Sequence, residues 1–368
     1  MPEHLFGGLG CPRNDRRLNF SRSQQKRKTM SLVFADPGGG FYSTTAQATA
    51  GFWSALSATI KTSGLPAGNI EPTGLQINNA GGTIVVPNAT SYTLGFRFVS
   101  TSPYSSQSLV SFRDPSNSIQ VNFSTNTAGE IVVARSAFGG TLLGTSSSSV
   151  TLSQNVWSYV ELQATIDATV GTIGVRINGT SVLSLTGQNT KGSGSSSNIG
   201  NMLLGSNLTS IWQDIYVTST GGSYNTGFLG DVQMPISLAN ADGTYTAWTP
   251  NGAASLHASV NAATPTDGTV FASDSTPGDR MSVSYPSTSV TSNIVAVAHM
   301  SRMEKSTSGT RTVSQTITNN GNDQVASAVS LNTSYTYYQQ ISEVDPNTNL
   351  PWTAAGFNTI QSGLETIS

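Results

Sequence analysis

Between residues 157 and 187 apolar and polar side chains alternate. Val160, Leu162, Ala164 and Ile166 fall on one side, and Tyr159, Glu161, Gln163 and Thr165 on the other. This period of two predicts a strand buried on one face. A turn cluster at Asp167–Gly171 interrupts it. Ile173, Val175 and Ile177 then point inward, with Thr172, Arg176 and Asn178 outward. Asn178-Gly179 is a strong hairpin signal, because a type I′ turn needs positive φ at both central residues. A third strand is expected at 182–185. Pairing inward residues with inward ones sets Arg176 opposite Gln163 and diagonal to Glu161, on a face expected to be solvated.

Short strands separated by turns are predicted from Ser31 to about Thr218. They fall at 32–34, 74–77, 83–87, 92–99, 108–113, 119–124, 130–135, 141–144, 202–205 and 211–217. Residues 78–82 read as the turn between two of them. Residues 46–59 read as a short helix or an irregular stretch anchored by Trp53, and 187–201 as a polar loop without packing residues. Such spacing points to a two-sheet sandwich or jelly roll. A smaller β-rich region is expected to follow. It has a strand-like segment at 228–234, a long irregular stretch at 238–279, and strands at 280–285, 294–302, 309–319, 323–331 and 334–344. The apolar run Ile294–Ala298 reads as a strand buried on both faces. A short helix is expected within 353–364. The organisation is therefore 1–29 as a tail, 30–218 as the sandwich domain and 219–368 as a second β-rich domain.

Composition supports an all-β class. The 368 residues are rich in Gly, Ser, Thr and Asn, with only 10% charged, unlike chains with long helices. The net charge of −2 conceals a basic tail. Residues 1–29 contain Arg13, Arg16, Arg17, Arg22, Lys26, Arg27 and Lys28 against Glu3 and Asp15. The remaining 10 basic and 17 acidic side chains give a mildly acidic body with no nucleic-acid footprint. The tail reads as a disordered segment, an upstream extension of the frame with Met30 as the start, or a basic arm. Cys11 stands alone, so no disulfide within the chain is expected. No apolar run reaches membrane-span length, and no signal-peptide core follows the basic residues.

The pattern holds little catalytic chemistry. His4, His257 and His299 are far apart and lack metal-binding spacing, so a Ser-His-Asp triad would have to be assembled from isolated residues. A glycoside hydrolase needs two carboxylates flanking the scissile bond. Glu161 and Asp167 are separated by a turn start, and Glu343 and Asp345 by a strand end before Pro346. Asp214, in an otherwise apolar strand, reads as a partner for Arg176, a loop cap, or a ligand to a sugar hydroxyl or Ca²⁺. Tyr104, Tyr216, Tyr224, Tyr245 and Trp248 are placed in or near loops. No catalytic residue, metal ligand or cofactor is assigned, and no ligand-binding residue is named.

Three segments carry a family resemblance. They are Trp157-Ser158-Tyr159-Val160-Glu161, Gly171–Gly179 and Asp214-Ile215-Tyr216-Val217. They resemble a concanavalin A-like, laminin G-type sandwich. Gly227–Val232, Trp248-Thr249-Pro250 and the Asp345–Thr353 series look like virion proteins of tailed bacteriophages built on that sandwich. The resemblance covers all but the basic tail. It implies a non-enzymatic structural protein of tail, fibre or capsid decoration, located in the virion and assembled in the host cytoplasm. The partners implied are other virion proteins, further copies in a homo-oligomer, and host surface glycans. A lectin or adhesin module for host attachment is the alternative. Where related sequences carry two acids before Ile-Tyr-Val, this chain has Gln213-Asp214.

Overall fold

The computed structural model describes residues 30–205, 209–263, 265–288, 290 and 293–368. The basic tail, with His4 and Cys11, lies outside the described residues. Thirteen strands between Leu32 and Ser219 form one continuous antiparallel sheet that folds over on itself. They are β1 (Leu32–Asp36), β2 (Ala55–Lys61), β3 (Gly74–Ala89), β4 (Ser91–Ser100), β5 (Gln107–Arg113), β6 (Ile119–Thr125), β7 (Ile131–Arg135), β8 (Thr141–Thr145), β9 (Ser158–Thr165), β10 (Gly171–Ile177), β11 (Thr180–Gln188), β12 (Ile199–Leu204) and β13 (Ser210–Ser219).

The order β11-β10-β9-β4-β13-β3-β12-β5-β6-β7-β8, with β1 on β13 and β2 on β3, divides into two layers. The layers are joined between β13 and β3 at the single register pair Trp212↔Leu75. At the far end, Ser147 N–H donates to the Val182 carbonyl at 2.8 Å and brings the β8 and β11 edges together. Between the layers, Phe96, Phe98 and Trp212 pack with Phe112, Phe123, Leu162, Val175 and Ile84 in one core. Phe96 and Trp212 lie 4.5 Å apart, centroid to centroid. The all-β class expected from the sequence holds: an antiparallel sandwich followed by a smaller β-rich region.

The alternation at 157–187 produces the expected strands. Asn178 and Gly179 take φ of 49° and 76° and close the β10–β11 hairpin. The register differs from the expectation: Arg176 lies directly opposite Glu161, and Gly174 opposite Gln163. The five-residue run 78–82 does not end a strand. β3 continues through it, and the pairing with β2 jumps from Leu56↔Gly82 to Ala58↔Ile77, so the residues between are bulged out. The helix expected near Trp53 is Thr45–Thr49, capped by the Thr44 side chain. Trp53 is buried as an anchor, and β2, which the sequence did not suggest, follows it.

Beyond β13, residues 220–240 contain no strand. The strand-like 228–234 segment is an extended strap lying on the sandwich. From Ala241 onward, a six-stranded sheet contains strands Ala241–Thr246, Arg280–Ser284, Ile360–Thr366, Thr312–Asn319 and Asn322–Val325, with Val329–Ser330 on one edge. The expected helix is a single turn, Ala354–Phe357, and a strand replaces the rest. Ile294, Val295 and Ala296 are half-buried coil rather than a doubly buried strand; pairing begins at Val297.

The hairpin of strands Val297–Met303 and Thr336–Ser342 docks onto the sandwich. Tyr337 enters the sandwich core cluster, packs edge-on against Phe41 at 5.7 Å, and donates its hydroxyl to the Phe41 carbonyl. Tyr337 N–H reaches the Ala50 carbonyl at 2.7 Å, and Gln339 reaches that of Ala35 at 2.8 Å. Among the described residues, no helix is long and apolar enough to cross a membrane.

Candidate functional site

The outer face of β10, β9, β4 and β13 concentrates the polar residues that the sequence singles out. Its geometry starts from a bulge. Between β13 and β4 the register runs Gln213↔Arg97 and then Tyr216↔Gly95, one residue too many on β13. Asp214 absorbs it with φ of 48°, a left-handed conformation that Asp tolerates. The bulge turns Trp212, Ile215 and Val217 all toward the core. It leaves Asp214 and Tyr216 on the outer face. Tyr216 lies over Gly95, where an added Cβ would meet its ring carbon at 2.1 Å. Only glycine leaves room for that ring.

This face is not solvated, contrary to the sequence expectation. Glu161 and Tyr159 are 1% exposed, and Asp214 and Tyr216 are fully buried. The cover is the strap. Its Leu229 N–H donates to the Tyr216 hydroxyl at 2.9 Å, Gly230 N–H to Glu161 Oε1 at 2.8 Å, and Met234 N–H to Asp214 Oδ1 at 2.9 Å. Tyr216 donates to the same Glu161 oxygen at 2.5 Å. Thr218 Oγ1 donates to the Gly227 carbonyl at 2.9 Å. Phe228 caps the Arg176 guanidinium at 4.3 Å. The strap's amides therefore meet side chains of the sheet face rather than a neighbouring strand, and the strand-like segment forms no strand.

Arg97 is the cation on which Asp214 and Asp231 converge. Its Nε lies 3.3 Å from Asp214 Oδ2, and its Nη2 bonds Asp231 in the strap. Arg97 also lies 5.7 Å from the Tyr159 ring centre. Asp214 is thus paired with Arg97 rather than Arg176. Burial pushes the Asp214 carboxyl up to about 7, aided by the charge of Glu71 and opposed by the Met234 amide and Arg97. Burial likewise raises Glu71 and Asp231, each opposed by Arg97. The Tyr159 and Tyr216 hydroxyls are held protonated by burial and by the acids around them. One guanidinium facing several acids in low dielectric makes a fastening that responds to pH.

Other acids, the sequence candidates among them, also hold chain segments. Asp36, fully buried, accepts from Gly38 N at 2.8 Å, Gly39 N at 3.2 Å, Tyr42 Oη at 2.8 Å and Trp53 Nε1 at 2.7 Å. Glu343 accepts from the Ser31 and Leu32 amides and from Asn225. Asp345 accepts from Asn319 at 2.8 Å and from the Asn347 amide at 2.8 Å. Asp167 is half-buried and stabilises its own turn, its carboxyl lowered first by the Val170 amide. Neither Glu161 with Asp167 nor Glu343 with Asp345 forms an open carboxylate pair.

The structure does assemble one Ser-His-Asp group, which the sequence pattern did not show. His257 Nδ1 lies 2.8 Å from Asp242 Oδ1 and 3.0 Å from Ser255 Oγ. In a hydrolytic triad the acid and the serine contact opposite ring nitrogens. Here both contact Nδ1, while Ser255 caps the one-turn helix Leu256–Val260 and Asp242 also accepts the His257 amide at 2.7 Å. The group is a helix-start fastening. His299 is packed without an Nδ1 partner, and burial lowers it to about 4. Among the described residues, no group of three or more His, Cys, Asp or Glu side chains is placed to hold a metal.

The aromatic candidates divide. Tyr216 and Trp248 are buried, and Tyr104 packs half-buried on the sandwich core. Tyr245 is covered on one face by Arg280 at 3.8 Å. It lines a small cleft of about 170 Å³ with Thr244, Thr318, Asn320, Thr359 and Gln361. The 187–201 loop is fastened rather than displayed: Gly192 N–H donates to Gln120 Oε1 at 2.6 Å, and Gln120 Nε2 donates to the Ser196 carbonyl at 2.7 Å.

No protein family model and no curated protein sequence matches the chain. Solved structures overlap parts of it. An alginate lyase is 13% identical over 53% of this chain and 95% of its own, with a TM-score of 0.32. A Trypanosoma rangeli sialidase is 14% identical over 45% of this chain and 27% of its own, at 0.30. A Caenorhabditis elegans galectin is 16% identical over 38% of this chain and 92% of its own, at 0.27. Overlaps this loose carry no argument about chemistry, and the fold class rests on the strands themselves.

Proposed function

We propose that this chain is a non-enzymatic structural protein of a tailed-bacteriophage particle, serving in the tail, a fibre or the capsid decoration. In this reading it is assembled in the host cytoplasm as a homo-oligomer beside other virion proteins, and it contacts host surface glycans. One observation carries the non-enzymatic part. The polar sheet face that would offer acids to a ligand is closed by residues 227–234, and its acids are committed to holding that strap. The particle assignment rests on the Gly227–Val232 and Asp345–Thr353 resemblance. Those segments form the strap and the turn that fastens Asn319.

The test is localisation in a purified particle by mass spectrometry and reconstruction. Density for the sandwich at a symmetric tail or head position supports the reading; absence of the chain from particles refutes it. A lectin-type adhesin is the second reading, favoured by the neutral hydroxyl and amide lining of the Tyr245 cleft. Glycan-array binding lost in Tyr245→Ala supports that reading. Release of reducing ends from a surface polysaccharide would overturn both.

A further inference from the structure

Glu343 is a buried carboxylate whose described partners are all neutral. It is 4% exposed and sits at the seam between the docked hairpin and β1. Among the described residues, no Lys, Arg or His side chain pairs with it. Its three donors are neutral: Ser31 N at 2.7 Å on Oε2, and Leu32 N at 3.2 Å and Asn225 Nδ2 at 3.0 Å on Oε1. Burial raises the carboxyl, the mark of a charge that its surroundings do not fully compensate. Ser31 is itself fully buried, its carbonyl accepts the Ser219 amide at 2.8 Å, and its Oγ is buried without a partner. Met30, one residue earlier, is 43% exposed.

We propose that Glu343 is built as the counter-ion of a free α-ammonium group on Ser31, produced by hydrolysis of the Met30–Ser31 peptide bond. Water supplies the hydroxyl that completes the Met30 carboxyl. The C–N bond breaks, and the Ser31 nitrogen takes the remaining proton and a second from solvent. No oxidant or reductant is involved. The co-reactant is a methionine-removing aminopeptidase acting on a chain begun at Met30, an enzyme class that requires a small residue such as serine next. Hydrolysis precedes packing, because Ser31 is inaccessible once β1 is paired. The nitrogen already lies at ion-pair distance from Oε2, so the new charge needs no rearrangement. The other titratable side chains clustered with Leu32 are Tyr159 and Tyr216, which burial keeps neutral.

An α-amine titrates near pH ~8 in an unfolded chain. Pairing with Glu343 raises that value in the folded state. The stability it contributes is therefore complete below pH ~8 and lost as pH rises through the higher folded value. The experiment compares a chain translated from Met30 with the full 1–368 chain, by intact mass and by thermal unfolding at pH 7 and pH 10. The expected mass begins at Ser31. The expected Tm at pH 7 exceeds that of the full chain by about 2–4 °C. The gap should close at pH 10 and be absent at pH 7 when both chains carry Glu343→Gln. Retention of Met30, equal Tm values at pH 7, or a gap that persists unchanged at pH 10 would each overturn the proposal. The pH comparison needs no substituted protein, so it stands even if Glu343→Gln fails to fold.

Discussion

Replacing Asp214 with Asn tests the physics of the strap. Asn tolerates the left-handed backbone at this position, is nearly isosteric, and its Oδ1 still accepts the Met234 amide. What it removes is the charge. Burial pushes the wild-type carboxyl from its ordinary 3.8 up to about 7 in the folded state. Its folded value is raised, so the stability it contributes is fully present below 3.8 and lost as pH rises through about 7. At about 1.4 kcal/mol per unit the whole window amounts to about 4 kcal/mol, of which about 2.6 kcal/mol falls between pH 5 and pH 8. Arg97 already opposes burial within that shift, so losing its pairing, at about 1–3 kcal/mol, offsets the two proteins at every pH without changing the slope between them. Urea unfolding of both proteins at pH 5, 6.5 and 8 gives the difference directly. We expect Asp214→Asn to gain about 2–3 kcal/mol relative to wild type between pH 5 and pH 8. A difference that is flat with pH, or that moves the other way, would refute the claim that burial dominates the Arg97 pairing.

Other expectations follow from the packing. Gly95→Ala sets a Cβ 2.1 Å from a ring carbon of Tyr216 and should lower stability by about 1–3 kcal/mol, read from the urea midpoint. Tyr337→Ala should cost about 3–5 kcal/mol and make the 297–342 hairpin the first site of limited proteolysis, because Tyr337 is its anchor in the sandwich core. Tyr216→Phe removes the hydroxyl shared by Glu161 and the Leu229 amide; it should cost about 2–4 kcal/mol and speed amide exchange in the strap more than in β9.

Much of the sandwich was legible because its strands have one apolar face. Val160, Leu162 and Ala164 on β9, and Leu94, Phe96 and Phe98 on β4, alternate cleanly and all line the core. The Asn178-Gly179 turn is a local signal that needs no tertiary information. The outer face was misread for a definite reason. Alternation reports which side is apolar, but not what covers the polar side. Tyr159, Glu161 and Arg97 look solvent-facing in sequence, yet their partners lie up to 134 positions away in the strap. The bulge at Asp214 was hidden for a similar reason: one extra residue in IWQDIYV leaves composition unchanged and shows only in the spacing of Trp212, Ile215 and Val217. The Ser255-His257-Asp242 group shows the limit from the other side. Its three members come together, and only the ring nitrogen they contact separates a helix fastening from a nucleophilic site.

The account depends on the strap being a fixed part of the sandwich rather than a lid over an open face. Native-state hydrogen exchange at the Leu229, Gly230 and Met234 amides tests this most directly, because each donates to a buried group of the sheet face. The account predicts protection comparable to the amides of β9 and β4, reduced by Tyr216→Phe. Exchange at the rate of exposed loop amides would contradict it. It would reopen the face formed by Arg97, Glu161 and Asp214 as a site accessible to ligands.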